Sequence, residues 1–167
     1  MVDYFPREKV FSEEECKKII NSDMELITQD HKRANKTGNY PVHYLNEVDN
    51  TWVRERLEKV LFTINEEVYK FQYQGLIDYI GMKTYNVGDE FGWHTDTLIR
   101  TRRLACTIPL SMNCEGGDLE VFVGKKLTLN QRIGEAIVYP FWVGHRITPI
   151  LSGKRISLVT WTIGDKI

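Results

Sequence analysis

The chain has 167 residues, of which 42% are hydrophobic and 27% charged, a balance that suits one soluble globular domain with its own buried core. A formal net charge of −1 argues against global attraction to nucleic acid or an anionic membrane, and no apolar run approaches the roughly 20 residues that span a bilayer. Cys16, Cys106 and Cys114 show no C-x-x-C spacing, and "MVDYFPREKV" lacks the basic and apolar segments of a secretion signal, so the expected compartment is reducing and cytoplasmic.

The first predicted element is the helix in "FSEEECKKII", with Ser12 as N-cap, Glu15 completing a capping box, and Phe11 and Cys16 at the staple positions. Residues 30 to 45, "DHKRANKTGNYPVHYL", carry Gly, Pro, Asn and charge without periodicity, and read as a long loop, either a lid over a site or a solvated excursion. Over residues 51 to 73, Val53, Leu57, Val60, Leu61, Ile64, Val68 and Phe71 fall three and four apart, which predicts a helix with one apolar packing stripe.

From about residue 76 the period changes to two. "LIDYIGMKTYNV", "RLACTIPLS", "DLEVFV", "EAIVYP", "HRITPI" and "RISLVTWTI" are short and rich in β-branched and aromatic residues, with turn-like segments between them. Short strands in close succession without intervening helices predict an antiparallel sandwich or barrel. The fold class is thus α+β, mainly β, with a jelly-roll or sandwich core over about 76–167, and helical support over about 1–75 covering an outer sheet face.

Among the four histidines, His31 and His43 lie in the polar loop, whereas His94 and His145 fall at strand edges. His94 and Asp96 in "FGWHTD" stand two apart and point to one side of an extended chain, leaving Trp93 and Thr95 to pack on the other. Two neutral imidazoles and one carboxylate form the open ligand set of non-haem Fe(II) oxygenases, unlike the closed shell of a structural zinc. Ten residues after His145, Arg155 can hold a carboxylate through two parallel hydrogen bonds, or form a surface salt bridge. Alternation places Arg155, Ser157, Val159 and Trp161 on one face and Ile156 and Leu158 on the other, with the rival cation Lys154 on the apolar side. The arginines of "IRTRR" read as a local basic cluster facing solvent or an acidic substrate, and Gly116–Gly117 as a tight turn.

The block "YNVGDEFGWHTD … EGGDL … GEAIVYPFWVGHRITPILSGKRISLVTW", over residues 80 to 163, resembles the 2-oxoglutarate- and Fe(II)-dependent dioxygenases, most closely their prolyl 4-hydroxylase-like group. The resemblance implies a double-stranded β-helix (jelly-roll) core formed by a single domain over residues 1–167, with the metal at one mouth. It matches His94, Asp96 and His145 to the iron ligands and Arg155 to the residue that binds the far carboxylate of 2-oxoglutarate. It further offers Tyr85, Ser157, Thr107 and Trp161 as residues around that cosubstrate, Tyr85 having the alternative of a core aromatic. Collagen-type relatives often carry lysine at the anchor, so Arg155 aligns the chain with other branches. The implied cofactors are Fe(II), 2-oxoglutarate and dioxygen, with ascorbate in support.

The implied reaction is hydroxylation of a C–H bond, coupled to decarboxylation of 2-oxoglutarate, on a prolyl residue of a peptide or protein. A free amino acid, another small molecule or alkylated nucleic acid is the alternative on the same scaffold. Nucleic acid has only the arginine cluster in its favour. A non-enzymatic metal-binding β-barrel is the alternative of another class.

Overall fold

The computed structural model describes residues 5–22, 24–27, 42–45 and 47–165. Helix α1 (Glu13–Ile20) begins as its sequence dictates. The backbone N–H of Glu15 donates to Ser12 Oγ at 3.1 Å, and that of Ser12 donates to Glu15 Oε2 at 2.9 Å, closing the capping box. Phe11 and Cys16 on either side are buried.

Helix α2 runs over Glu47–Ile64 and passes into a π turn, Asn65–Tyr69, that ends at left-handed Lys70. The helix starts four residues before the predicted 51, and the π turn ends four before 73. Val53, Leu57, Leu61 and Ile64 are buried as the stripe predicts, but Val68 is 54% exposed. The wider turn rotates the following residues, so Tyr69 takes the inward position and its hydroxyl donates to the Val138 carbonyl at 2.8 Å. The Asn65 side chain holds the turn by exchanging hydrogen bonds with the backbone of Phe71.

The described strands form two antiparallel sheets. In chain order they are β1 (Arg7–Lys9), β2 (Met24–Ile27), β3 (Val42–Leu45), β4 (Gly81–Tyr85), β5 (Phe91–His94), β6 (Arg102–Gly116), β7 (Leu119–Phe122), β8 (Lys126–Thr128), β9 (Glu135–Pro140), β10 (Gly144–Ile147) and β11 (Ile150–Ile163). Seven make one sheet in the order β1-β9-β6-β11-β4-β3-β2, and four make the other in the order β5-β10-β7-β8. Together they are a jelly roll, the core that the sequence predicts.

Strands β1, β2 and β3 add sheet to the part expected as helical support and a long loop. They are short additions beside β9 and β4, where pairing with a neighbour rather than local periodicity decides conformation. Residues 42 to 45, expected within the loop, are β3, whereas residues 30 to 41 of that loop, read as a lid or a solvated excursion, lie outside the described residues.

Each face of the large sheet has its own apolar cluster. Ile19, Leu57 and Leu61 from the helices meet Leu104, Cys106, Ile108 and Leu158 on the outer face. On the inner face Ala105, Ile137, Tyr139 and Trp161 meet Leu119, Val121 and Ile147 of the small sheet. Central β6 is therefore buried continuously from Arg102 to Leu110. Gly116 and Gly117 form the predicted turn, both at positive φ (+74° and +69°). Just beyond it, the Thr148 N–H donates to the Asp118 carbonyl and the Asp118 N–H to Thr148 Oγ1, tying "EGGDL" to "HRITP". Among the described residues no helix is long and apolar enough to cross a membrane.

Candidate active site

Antiparallel pairing of β10 with β5 sets His145 directly opposite His94. Asp96, just past β5, is fixed when its backbone N–H donates to the Phe141 carbonyl at 2.9 Å. Candidate ligand atoms of His94, Asp96 and His145 all lie within 4.8 Å of one another. His145 Nε2 is 3.8 Å from Asp96 Oδ2 and His94 Nε2 is 4.0 Å from Asp96 Oδ1.

Both histidines are oriented in the same way. Nδ1 of His94 lies 2.8 Å from the Gly92 carbonyl, and Nδ1 of His145 lies 2.9 Å from the Val143 carbonyl. A carbonyl only accepts, so each Nδ1 carries the proton and each Nε2 keeps a lone pair aimed at the cluster. Burial, together with the neighbouring His145, pushes the His94 imidazole down to about 3, and burial lowers His145 too. Neutral rings are the form that binds a metal. Two imidazoles and one carboxylate leave positions open, a donor set that fits Fe(II).

Asp96 is held from two further sides. Trp161 Nε1 donates to its Oδ2 at 2.8 Å, and Arg102 Nη1 lies 3.5 Å from its Oδ1. Arg102 also stacks on the Trp161 ring at 3.6 Å and donates to the Tyr79 hydroxyl at 2.8 Å. This corrects the reading of "IRTRR" as a cluster facing solvent or substrate. Arg102 and Arg103 are buried, Arg103 donating to the carbonyls of Arg100 and Arg102, and only Arg100 of the three remains exposed. Trp93 and Thr95 are corrected as well. Both are exposed rather than packed, and the Arg146 guanidinium lies 5.2 Å from the Trp93 ring.

A cavity of about 430 Å³ opens beside the cluster, and Arg155, Tyr85, Ser157, Thr107 and Trp161 all line it. Exposed Leu98 and Ile99 mark its mouth. The alternation predicted for β11 holds, since Arg155 and Ser157 face the cavity while Ile156 and Leu158 join the outer cluster. Lys154 is exposed and does not line the cavity.

Arg155 is fully buried and sits opposite Tyr85 in the β11–β4 register, its guanidinium 5.5 Å from the Tyr85 ring. Its Nη1 donates to Ser157 Oγ and its Nη2 to Gln131 Oε1, both at 2.8 Å, while Nε has no partner. No carboxylate pairs with it among the described residues. A buried cation with an idle donor and no counter-anion fits the carboxylate of a ligand.

Four residues of the site escaped the sequence reading. Arg102 lay inside a cluster that was recognised but assigned to the surface, and Tyr79 and Lys83 lay on recognised strand sequence. Gln131 carried no signal, because its role depends on a contact with a residue 24 positions away.

An open two-histidine, one-carboxylate cluster facing a buried, unpaired guanidinium defines a class of protein: the non-haem iron oxygenases that take a 2-oxo dicarboxylate. Residues 80–163 match the family model of the 2OG-Fe(II) oxygenase superfamily, and the chain belongs to that family. A PKHD-type hydroxylase of Synechococcus sp. (strain CC9605) is 31% identical over 83 residues, covering 46% of this chain and 37% of that protein. A PKHD-type hydroxylase of Shewanella oneidensis is 34% identical over 88 residues, covering 46% and 39%. The matched segment thus spans well under half the length of these curated relatives.

Among solved structures, a Pseudomonas putida prolyl-4-hydroxylase superposes with a TM-score of 0.71 at 15% identity, covering 96% of this chain and 92% of that one. The viral collagen prolyl hydroxylase of Paramecium bursaria Chlorella virus-1, in a 2OG complex, gives 0.70 at 16% identity, covering 98% and 97%. At such identities the superpositions establish the shared jelly-roll fold.

Proposed function

We propose that the chain is an Fe(II)- and 2-oxoglutarate-dependent hydroxylase of prolyl residues in a peptide or protein. The observation that carries this reading is Arg155, a fully buried cation with no counter-anion among the described residues, lining the same cavity as the open His94–Asp96–His145 cluster. In this reading His94, Asp96 and His145 hold Fe(II), which when bound supplies activation of dioxygen coupled to decarboxylation of the cosubstrate. Arg155 holds the far carboxylate, Ser157 and Gln131 orient the guanidinium, and Tyr85 and Thr107 wall the cosubstrate. Trp161 and Arg102 fix Asp96 from behind.

Support for a prolyl substrate comes from the names of the similar solved structures, both prolyl hydroxylases, and from the cavity mouth. The Tyr44 and Tyr79 rings stand 4.7 Å apart, with Leu98 and Ile99 also lining the cavity, an apolar surround suited to a pyrrolidine ring. We further assign residues 1–167 to one dioxygenase domain. Three free cysteines support a reducing, cytoplasmic setting.

The test is a peptide-array screen with Fe(II), ascorbate and 2-oxoglutarate, read by a mass gain of one oxygen atom and by release of succinate. Proline-containing peptides should gain the oxygen with wild-type protein and not with His94→Ala. Oxygen gain only on free amino acids or other small molecules would overturn the peptide assignment. Equal turnover by His94→Ala would overturn the metal assignment.

A further inference from the structure

The cavity holds one more charged group that none of the roles above employs. Lys83 lies on β4 two residues before Tyr85, on the same face, and stands opposite Ser157 in the β11 register. Along the strand it is about 7 Å from the Tyr85–Arg155 pair. Its ammonium sits over the Phe91 ring, 4.3 Å from the centroid, and that ring meets the His94 ring edge-on with centroids 4.1 Å apart. One aromatic ring therefore separates Lys83 from the metal cluster. It makes no hydrogen bond or ion pair among the described residues.

The charges of the cavity wall do not balance. Among the described residues Lys83, Arg102 and Arg155 line it with a single carboxylate, Asp96, and Arg102 is the cation beside Asp96. Among the described residues two cations remain without a carboxylate partner, one at Arg155 and one nearer the histidines. Burial, with Arg102 and Arg155 adding their repulsion against the pull of Asp96, lowers the Lys83 ammonium to about 8, so at neutral pH it still carries its proton. A lysine kept charged in such a place is costly unless something anionic arrives.

We propose that Lys83 holds the metal-side carboxylate of the cosubstrate, so that two cations on neighbouring strands grip the two ends of one dicarboxylate. The assignment rests on the cosubstrate reading above and adds a second positioning residue to it. Arg155 sets the depth of the ligand and Lys83 sets the orientation of the end that faces the metal.

The experiment is calorimetric titration of protein loaded with Mn(II), a redox-inert substitute, so that no turnover enters. Three ligands are compared: 2-oxoglutarate, 4-oxopentanoate, which keeps the far carboxylate but has a methyl group in place of the metal-side one, and 2-oxopentanoate, which keeps the 2-oxo acid but lacks the far carboxylate. Lys83→Met should weaken 2-oxoglutarate and 2-oxopentanoate roughly ten- to hundredfold, the worth of one charge-assisted hydrogen bond, and leave 4-oxopentanoate within about twofold. Arg155→Met should do the converse, weakening 2-oxoglutarate and 4-oxopentanoate. Lys83→Arg should recover part of the loss if charge is the requirement.

Equal weakening of 4-oxopentanoate by Lys83→Met would overturn the proposal by placing Lys83 at the far carboxylate. Unchanged binding of all three would overturn it by turning Lys83 towards the second substrate. Failure of the wild-type protein to bind 2-oxoglutarate at all would instead overturn the cosubstrate reading. Melting temperatures keep folding defects apart, since methionine matches the length of the stem and removes an unpaired charge.

Discussion

Trp161 Nε1 donates a 2.8 Å hydrogen bond to Oδ2 of Asp96, joining the last strand of the large sheet to the carboxylate of the metal cluster across 65 positions of sequence. Asp96 has an acceptor role to fill on each oxygen, and the indole N–H fixes which lone pairs remain for a metal. Trp161→Phe keeps the apolar wall and removes only the donor. The expected result is a roughly 10- to 100-fold loss of metal affinity, measured by Mn(II) or Fe(II) titration, with a melting temperature close to wild type. Unaltered metal affinity would reduce Trp161 to a wall. Because Arg102 stacks on the same ring, the Trp161→Phe and Arg102→Met effects should not add, and a double-mutant cycle should show coupling of about 0.5–3 kcal/mol.

Arg155 is a site residue whose removal should separate function from stability. It is fully buried, its Nε has no partner, and burial lowers the pKa of the guanidinium. Replacing a buried charge that lacks a counter-ion with an apolar side chain is often neutral or stabilising. Arg155→Met should therefore raise the apparent KM for 2-oxoglutarate by about two orders of magnitude or more, the worth of a bidentate carboxylate contact, while the melting temperature stays level or rises. Steady-state kinetics beside a thermal melt checks both halves. A sharp fall in melting temperature with KM unchanged would make Arg155 a structural residue.

Those two residues show what the sequence could and could not disclose. The face that Arg155 shares with Ser157 follows from period two along one strand, and β11 keeps that alternation through the site. The capping box of α1 and the span of β9 are equally local, and both were legible. The Trp161–Asp96 and Arg155–Gln131 contacts join residues far apart in the chain, and no spacing rule reports them. Arg102 misled because a guanidinium in a polar run reads as solvated, whereas here an indole face and a carboxylate repay its burial. The π turn at Asn65 hid for a similar reason. Its cause is an asparagine side chain bonding to the backbone six residues on, which the apolar stripe does not record.

Gly117 links the "EGG" turn to the anchor. Its φ is +69°, and a Cβ there would fall 2.6 Å from Ile150 Cδ1 and 3.0 Å from Arg155 Cδ. Gly117→Ala should therefore act on the guanidinium stem as well as on the turn, costing roughly 1 kcal/mol or more of stability and weakening 2-oxoglutarate binding several-fold. Gly124→Ala, at φ +76° with nothing within 4 Å, supplies the comparison. It should carry the backbone cost alone and leave cosubstrate affinity unchanged. Equal affinity in both variants would uncouple the turn from Arg155.

Acid should destabilise the metal-free protein through its histidines before its carboxylates. His94 faces His145, Asp96 and Lys83, and its folded value of about 3 lies below the 6.5 of the unfolded chain. Between those values the unfolded state binds a proton that the folded state refuses, so unfolding free energy rises with pH in this window. The contribution is fully present above 6.5 and is lost progressively as pH falls towards 3, with His145 acting in the same direction. Glu15, bonded to Arg56, has its folded value below 4.5, so its contribution is lost only in stronger acid. Urea midpoints taken stepwise from pH 7 to about 5 should therefore fall in the wild-type protein and fall less in the His94→Gln, His145→Gln double variant. Parallel slopes for the two proteins would mean that the paired imidazoles are not held neutral by burial.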